Sequence, residues 1–183
     1  VALPMTLAMA LGMPLWLQVM KRVEKHRAWA FAAVGMIAAL SVVPSLEPGA
    51  GALRPMIAIM ACFGFFLGLS SIALPSLLAD IVDYDVWRNR QDRAAIFFSF
   101  QSVVTKLNQG VGGAIALAIP AWFGFEPQGE TTPAAALGLK LAFVAWPCVL
   151  LVPMLLLAWR YPLGRRAHAI LARRLATRQE MQA

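Results

Sequence analysis

Five apolar runs, near residues 2–20, 28–46, 55–80, 95–120 and 134–159, are separated only by short polar breaks. About 20 apolar residues in helical form cross the ~30 Å hydrocarbon core of a bilayer, so runs of this length read as spans rather than as buried core helices. In lipid no water satisfies a free N–H or C=O, and a continuous apolar run meets that demand as an α-helix. Composition agrees. The 183 residues are 60% hydrophobic and 14% charged, whereas soluble domains run at about 45–50% apolar and about 25% charged. Disorder requires the opposite bias and is excluded. Five spans take up about 100 residues, which leaves short loops and a tail over 160–183 and no room for a soluble catalytic domain. The expected fold class is an all-α integral membrane bundle.

The breaks between the runs differ in charge, and the difference sets orientation. Lys21, Arg22, Lys25 and Arg27 lie in the first break, and Arg88, Arg90 and Arg93 in the third. Arg160, Arg165, Arg166, Arg173, Arg174 and Arg178 lie in the tail. Thirteen of the 16 cations therefore fall on alternate breaks, while the other two loops carry Arg54 with Glu47, Glu126 and Glu130. Cations are retained on the cytoplasmic side, so the N-terminus is expected outside and the C-terminus inside. The net charge of +7 is thus membrane topology and not a nucleic-acid surface. In the tail, Leu163, Ala167, Ile170, Leu171 and Leu175 recur at helical spacing between arginines, the pattern of a basic amphipathic helix on an anionic leaflet.

The fourth run carries the most chemistry. On a helical wheel Gln101, Ser102, Thr105, Lys106, Asn108 and Gln109 share one half, and Val103, Val104, Leu107 and Val111 the other. A half-polar helix at membrane depth has to turn that half to other helices or to a watery cavity. Lys106 lies about 20 Å along the axis from Arg93, too deep for easy snorkelling, and its ammonium needs a carboxylate or water. The bland alternative is a locked interhelical salt bridge. Lys140, two turns into the last span, reads instead as a snorkelling residue. Gly64, Gly68 and Ser71, and Gly110, Gly112 and Gly113, permit close helix contact. Prolines at 4, 14, 44, 75, 120, 147 and 153 bend or interrupt the spans.

Aspartates gather at the inner end of the third run. Asp80 and Asp83 share a helical face by their i, i+3 spacing, with Asp85 and Asp92 following amid Arg88, Arg90 and Arg93. Such charges at a cytoplasmic mouth form a gate that latches helices in one state and frees them in another. Mg²⁺ on a diphosphate substrate would need a second acidic motif, which the chain lacks, so no enzyme and no metal site is expected. Cys62 and Cys148 have no ligand or disulfide spacing. His26 and His168 are expected on the surface. The chain opens on Val1 without a basic n-region, which reads as a truncation point rather than a signal peptide.

These residues resemble a known family. The string LADIVDYDVW, then Arg93, then FFSF and a Lys-Leu on the next helix, is similar to the glycoside–pentoside–hexuronide:cation symporters, the melibiose-permease-like branch of the major facilitator superfamily. GLKLAF and YPLGRRAHAIL resemble that family's last helix and tail. The resemblance implies a twelve-helix fold of two halves, with the five spans here matching helices eight to twelve. It places Gln101, Ser102 and Lys106 along the substrate cavity, where Thr105 and Gln109 join them as members of the same polar helix half, and Asp80, Asp83 and Arg93 at the cytoplasmic gate. Four positions depart from the family pattern. Asn89 and Arg90 stand where Thr-Gly is common, Ala95 where Gly is usual, and Asn108 where Gly follows Lys-Leu.

The resulting expectation is the C-terminal portion of a sugar:cation symporter in the plasma (inner) membrane, working by alternating access. Its partners would be a sugar or glycoside, the lipid bilayer and a missing N-terminal half. It would need no cofactor beyond a coupling Na⁺ or H⁺, whose site lies mostly outside this chain. The rival is a small helical membrane subunit that scaffolds a partner without transporting.

Overall fold

The computed structural model describes residues 2–46, 49–129 and 131–161, and these are helical almost throughout. In order come α1 (Ala2–Arg22), α2 (Lys25–Ser41), α3 (Leu53–Asn89), α4 (Ala94–Trp122), α5 (Pro133–Lys140), a π-helical turn (Leu141–Ala145) and α6 (Trp146–Trp159). Short 3₁₀ turns at Val43–Ser45 and Ala50–Ala52 join α2 to α3. The amphipathic reading of residues 162–183, and His168 with it, lies outside the described residues.

The chain is an integral membrane protein. Four segments are long and apolar enough to cross a bilayer: Ala2–Arg22, Lys25–Ser45, Leu53–Asn89 and Pro133–Trp159. Helix α4 occupies the remaining expected span. Its 29 residues reach about 43 Å, ample for a crossing, but Lys106, Asn108 and Gln109 make its middle too polar for the same apolarity. The stretch 83–93, expected as a polar break, is helical as far as Asn89. Helix α3 therefore has 37 residues, about 55 Å, and carries Asp83, Asp85 and Arg88 well past the apolar run.

Helix α3 is the hub. Gly64 and Gly68, one turn apart, let α1 come so close that an added Cβ would lie 2.2 Å from the Met5 carbonyl oxygen and 2.8 Å from that of Met9. Small residues permit this approach, and without a hydrophobic drive between helices in lipid, close packing is what joins them. Two indoles then tie neighbours to the hub. Trp16 Nε1 donates to the Phe65 carbonyl at 2.7 Å, and Trp29 Nε1 donates to Ser70 Oγ at 3.1 Å. Around them Trp16, Ala28, Ala32, Leu69 and Ala73 form the core of α1, α2 and α3. Helix α2 lies between α3 and α6, and alanines buried on it suit a helix covered from two sides.

The last span is interrupted for a local reason. Pro147 has no N–H and its ring displaces the carbonyl four residues back, and the turn before it widens to a π-helix. Helix ends follow ordinary capping chemistry. Thr132 Oγ1 accepts from the Ala135 N–H at 3.2 Å with Pro133 at the first position of α5. Gly124, at φ 75°, ends α4 with Gly124 N–H to Ala121 O and Phe125 N–H to Pro120 O, a Schellman pair. Arg90 holds the corresponding left-handed position after α3 at φ 56°, where a glycine would sit without strain.

Candidate functional site

At the basic end of the bundle α2, α3 and α6 converge. Asp80, on α3, is 7% exposed, and a carboxylate taken that far from water requires a cation. Lys25, the first residue of α2, supplies it, with Nζ 2.8 Å from Oδ1 and 2.9 Å from Oδ2. The pair couples residues 55 apart in sequence and ties the start of α2 to α3. Beside it the ring of His26 packs on Tyr161, centroids 5.7 Å apart, which brings the C-terminal end of α6 into the same corner. Burial first, and the nearby negative charge of Asp80 second, push the Tyr161 phenol above its ordinary value of 10.

Two of the expected gate residues stand apart from this pair. Asp83, half-buried one turn further along α3, is engaged in an interaction of its own. Arg93 is exposed at the start of α4, where Nη2 and Nε donate to Gln91 Oε1 at 2.6 and 3.1 Å. The adjacent Asp92 accepts from the Ala94 N–H at 3.0 Å and so caps α4. In sequence Lys25 belongs to the basic first break and not to the expected gate. The signal that identifies it is the burial of Asp80, which a pattern of sequence-local charges does not reveal. His26 corrects an expectation: it is buried, 7% exposed, because α6 returns over it.

The expected cavity residues lie on α4. Gln101 is half-buried, while Ser102, Thr105, Lys106 and Gln109 are exposed. Ser102 and Thr105 turn their hydroxyls back on their own helix, to Phe98 O at 2.9 Å and Gln101 O at 2.8 Å. Among the described residues Lys106 has neither an ion-pair nor a hydrogen-bond partner. Gly110, Gly112 and Gly113 likewise face open space. Only Pro120 of α4 is buried. Of the expected gate residues only Asp80 is packed, with Asp83 half-buried and Arg93 exposed, and the cavity residues on α4 form a separate, mostly bare group.

Lys140 also finds a specific partner. Its Nζ donates to the Pro44 carbonyl at 3.3 Å, which ties the α5 end to the α2–α3 connection.

The fold is a polytopic helical membrane bundle with a part-buried interhelical ion pair and one half-polar helix. Comparison with known proteins gives the family. Residues 1–165 match the family described as MFS/sugar transport protein, and the chain belongs to it. This is a family of transport proteins, not of enzymes. The chain is also 26% identical over 95 residues to "Uncharacterized symporter YjmB" of Bacillus subtilis (strain 168). That match covers 51% of this chain and 21% of the relative, so the chain spans about a fifth of the relative's length.

Proposed function

We propose that this chain forms helices eight to twelve of a sugar:cation symporter, driven by Na⁺ or H⁺ and working by alternating access. The observation that carries the reading is α4. A membrane helix whose Ser102, Thr105, Lys106 and Gln109 are exposed among the described residues, with Gln101 half-buried beside them, suits a polar cavity completed by other helices. Family membership and the symporter relative support the same assignment.

In this reading Lys106 balances carboxylates supplied by the preceding helices, where the coupling cation binds. Gln101 and Gln109 offer amide donors and acceptors to solute hydroxyls, and Ser102 and Thr105 polarise that wall. The Lys25–Asp80 pair, with Asp83 and Arg93, acts as the inner gate. Closed, it holds α2 to α3; opening it frees one half to rock against the other. The charge pattern of the breaks supports an orientation with the start of the chain outside and its end on the cytoplasmic side of the inner membrane.

The test is uptake into liposomes by the whole carrier that contains this chain, under imposed Na⁺ or H⁺ gradients. Concentrative, gradient-dependent sugar uptake that Lys106→Ala abolishes is the expected result. Uptake by residues 1–183 alone would overturn the assignment to part of a larger carrier. Cysteine probes at Gly51 and Gly129 should label from outside in intact cells, and those at Asn89 and Thr177 only after permeabilisation.

A further inference from the structure

A cleft of about 170 Å³ opens between α2, α3 and α6 at the basic end. His26, Trp29, Leu74, Leu78, Leu157 and Tyr161 line most of it, and nearly all of the exposed lining is apolar. A sugar, which must exchange many hydrogen bonds on binding, has little to meet there, and the cleft is distinct from the bare face of α4. The Trp29 indole is already committed to Ser70. The buried hydroxyl of Tyr161, in contrast, has no hydrogen-bond partner among the described residues and is a donor in need of an acceptor.

The rim of this end is cationic. Lys21 and Arg22 close α1, Arg27 lies in the first turn of α2, and Arg160 follows α6. All four are exposed, and none has a carboxylate partner among the described residues. The one lysine with such a partner, Lys25, is spent on Asp80. An apolar slot between membrane helices, a lone hydroxyl donor and an unpaired basic rim match one amphiphile. The acyl part takes the slot, an ester or phosphate oxygen accepts from Tyr161, and the anionic headgroup meets the arginines. Exposed Trp159, 71% accessible at the same end, suits the headgroup level.

We infer that the α2–α3–α6 cleft is a binding site for an anionic phospholipid, held by its headgroup on Arg27 and Arg160 and by an acyl chain against Leu74, Leu78 and Leu157.

Native mass spectrometry of the whole carrier, released from nanodiscs of equal phosphatidylglycerol and phosphatidylcholine, tests this. The expected result is phosphatidylglycerol retained in preference, with retention falling about fivefold for each of Arg27→Gln and Arg160→Gln. Leu74→Trp, made at a rim position 39% exposed, should fill the slot and release the lipid while leaving the thermal midpoint of the protein near wild type. Tyr161→Phe should weaken retention of both lipids and keep the preference between them. Equal retention of the two lipids in the wild type, or retention that ignores Leu74→Trp in a folded protein, overturns the site. The result is independent of uptake, so it stands or falls separately from the symporter assignment.

Discussion

Helices α2 and α4 are both long, both central to the sequence pattern, and treated in opposite ways by the fold. Eight residues of α2 are buried and one of α4. The difference lies in what each offers a neighbour. Helix α2 presents alanines and Gly35, where an added Cβ would meet the Phe66 ring at 2.5 Å, so partners close on it from two sides. Helix α4 has small residues too, but Gly110, Gly112 and Gly113 meet nothing within 4 Å. Small residues join membrane helices only where a partner surface of matching shape exists. The polar half of α4 matches none of the apolar faces in the bundle. One region is packed scaffold, and the other is a bare polar face.

The largest effect should come from forcing a side chain into the scaffold. Gly64→Leu drives a Cβ into the Met5 carbonyl, and α1 must leave α3 at a cost of about 3 kcal/mol. The same change at Gly112, where the space is open, should cost less than about 0.5 kcal/mol within this chain. Thermal midpoints of the two variants in detergent would measure the contrast. Equal losses would mean that α4 is packed after all.

Next in size is the bare face. Lys106→Ala in the whole carrier should lower coupled uptake roughly tenfold or more with normal membrane expression, the equivalent of about 1.4 kcal/mol in the barrier. Lys140→Ala, which removes only the bond to Pro44 O, should change uptake by less than about twofold, since an exposed bond of this kind contributes about 1 kcal/mol or less. Similar losses in both would make Lys106 a packing residue like any other.

The ion pair that clamps the scaffold should show a smaller, specific coupling. Asp80→Asn and Lys25→Met, alone and together, form a double-mutant cycle. The pair is partly exposed on the lysine side, 28% against 10%, so a coupling of about 1 kcal/mol is expected. A coupling near zero would remove the latch. Smallest of all, Arg90→Gly should raise stability by about 0.5–1 kcal/mol, because φ 56° carries a penalty for any residue with a Cβ. A loss on that substitution would show that the Arg90 side chain makes a contact worth more than the strain.

Periodicity and charge made much of this legible. The spans, the polar half of α4 and the helical face shared by Asp80 and Asp83 follow from residue order alone, because helix geometry and lipid solvation act locally along the chain. The family's usual glycine before the basic stretch even points to the left-handed position that Arg90 occupies. What local pattern missed was partnership. The cations nearest Asp80 in sequence are Arg88, Arg90 and Arg93, whereas Lys25 reaches it from 55 residues away. His26 looked like a surface residue until Tyr161 packed over it.

Residue order by itself determined that this chain lives in a membrane, where its helices run and which helix is half polar, since each of these depends on transfer from water to lipid residue by residue. Only the tertiary structure decided which charges meet and which stay bare. A buried carboxylate takes whichever cation the packing of α2 on α3 delivers within 3 Å, and that distance is set by Ala28, Ala32, Leu69 and Ala73 rather than by the charges themselves.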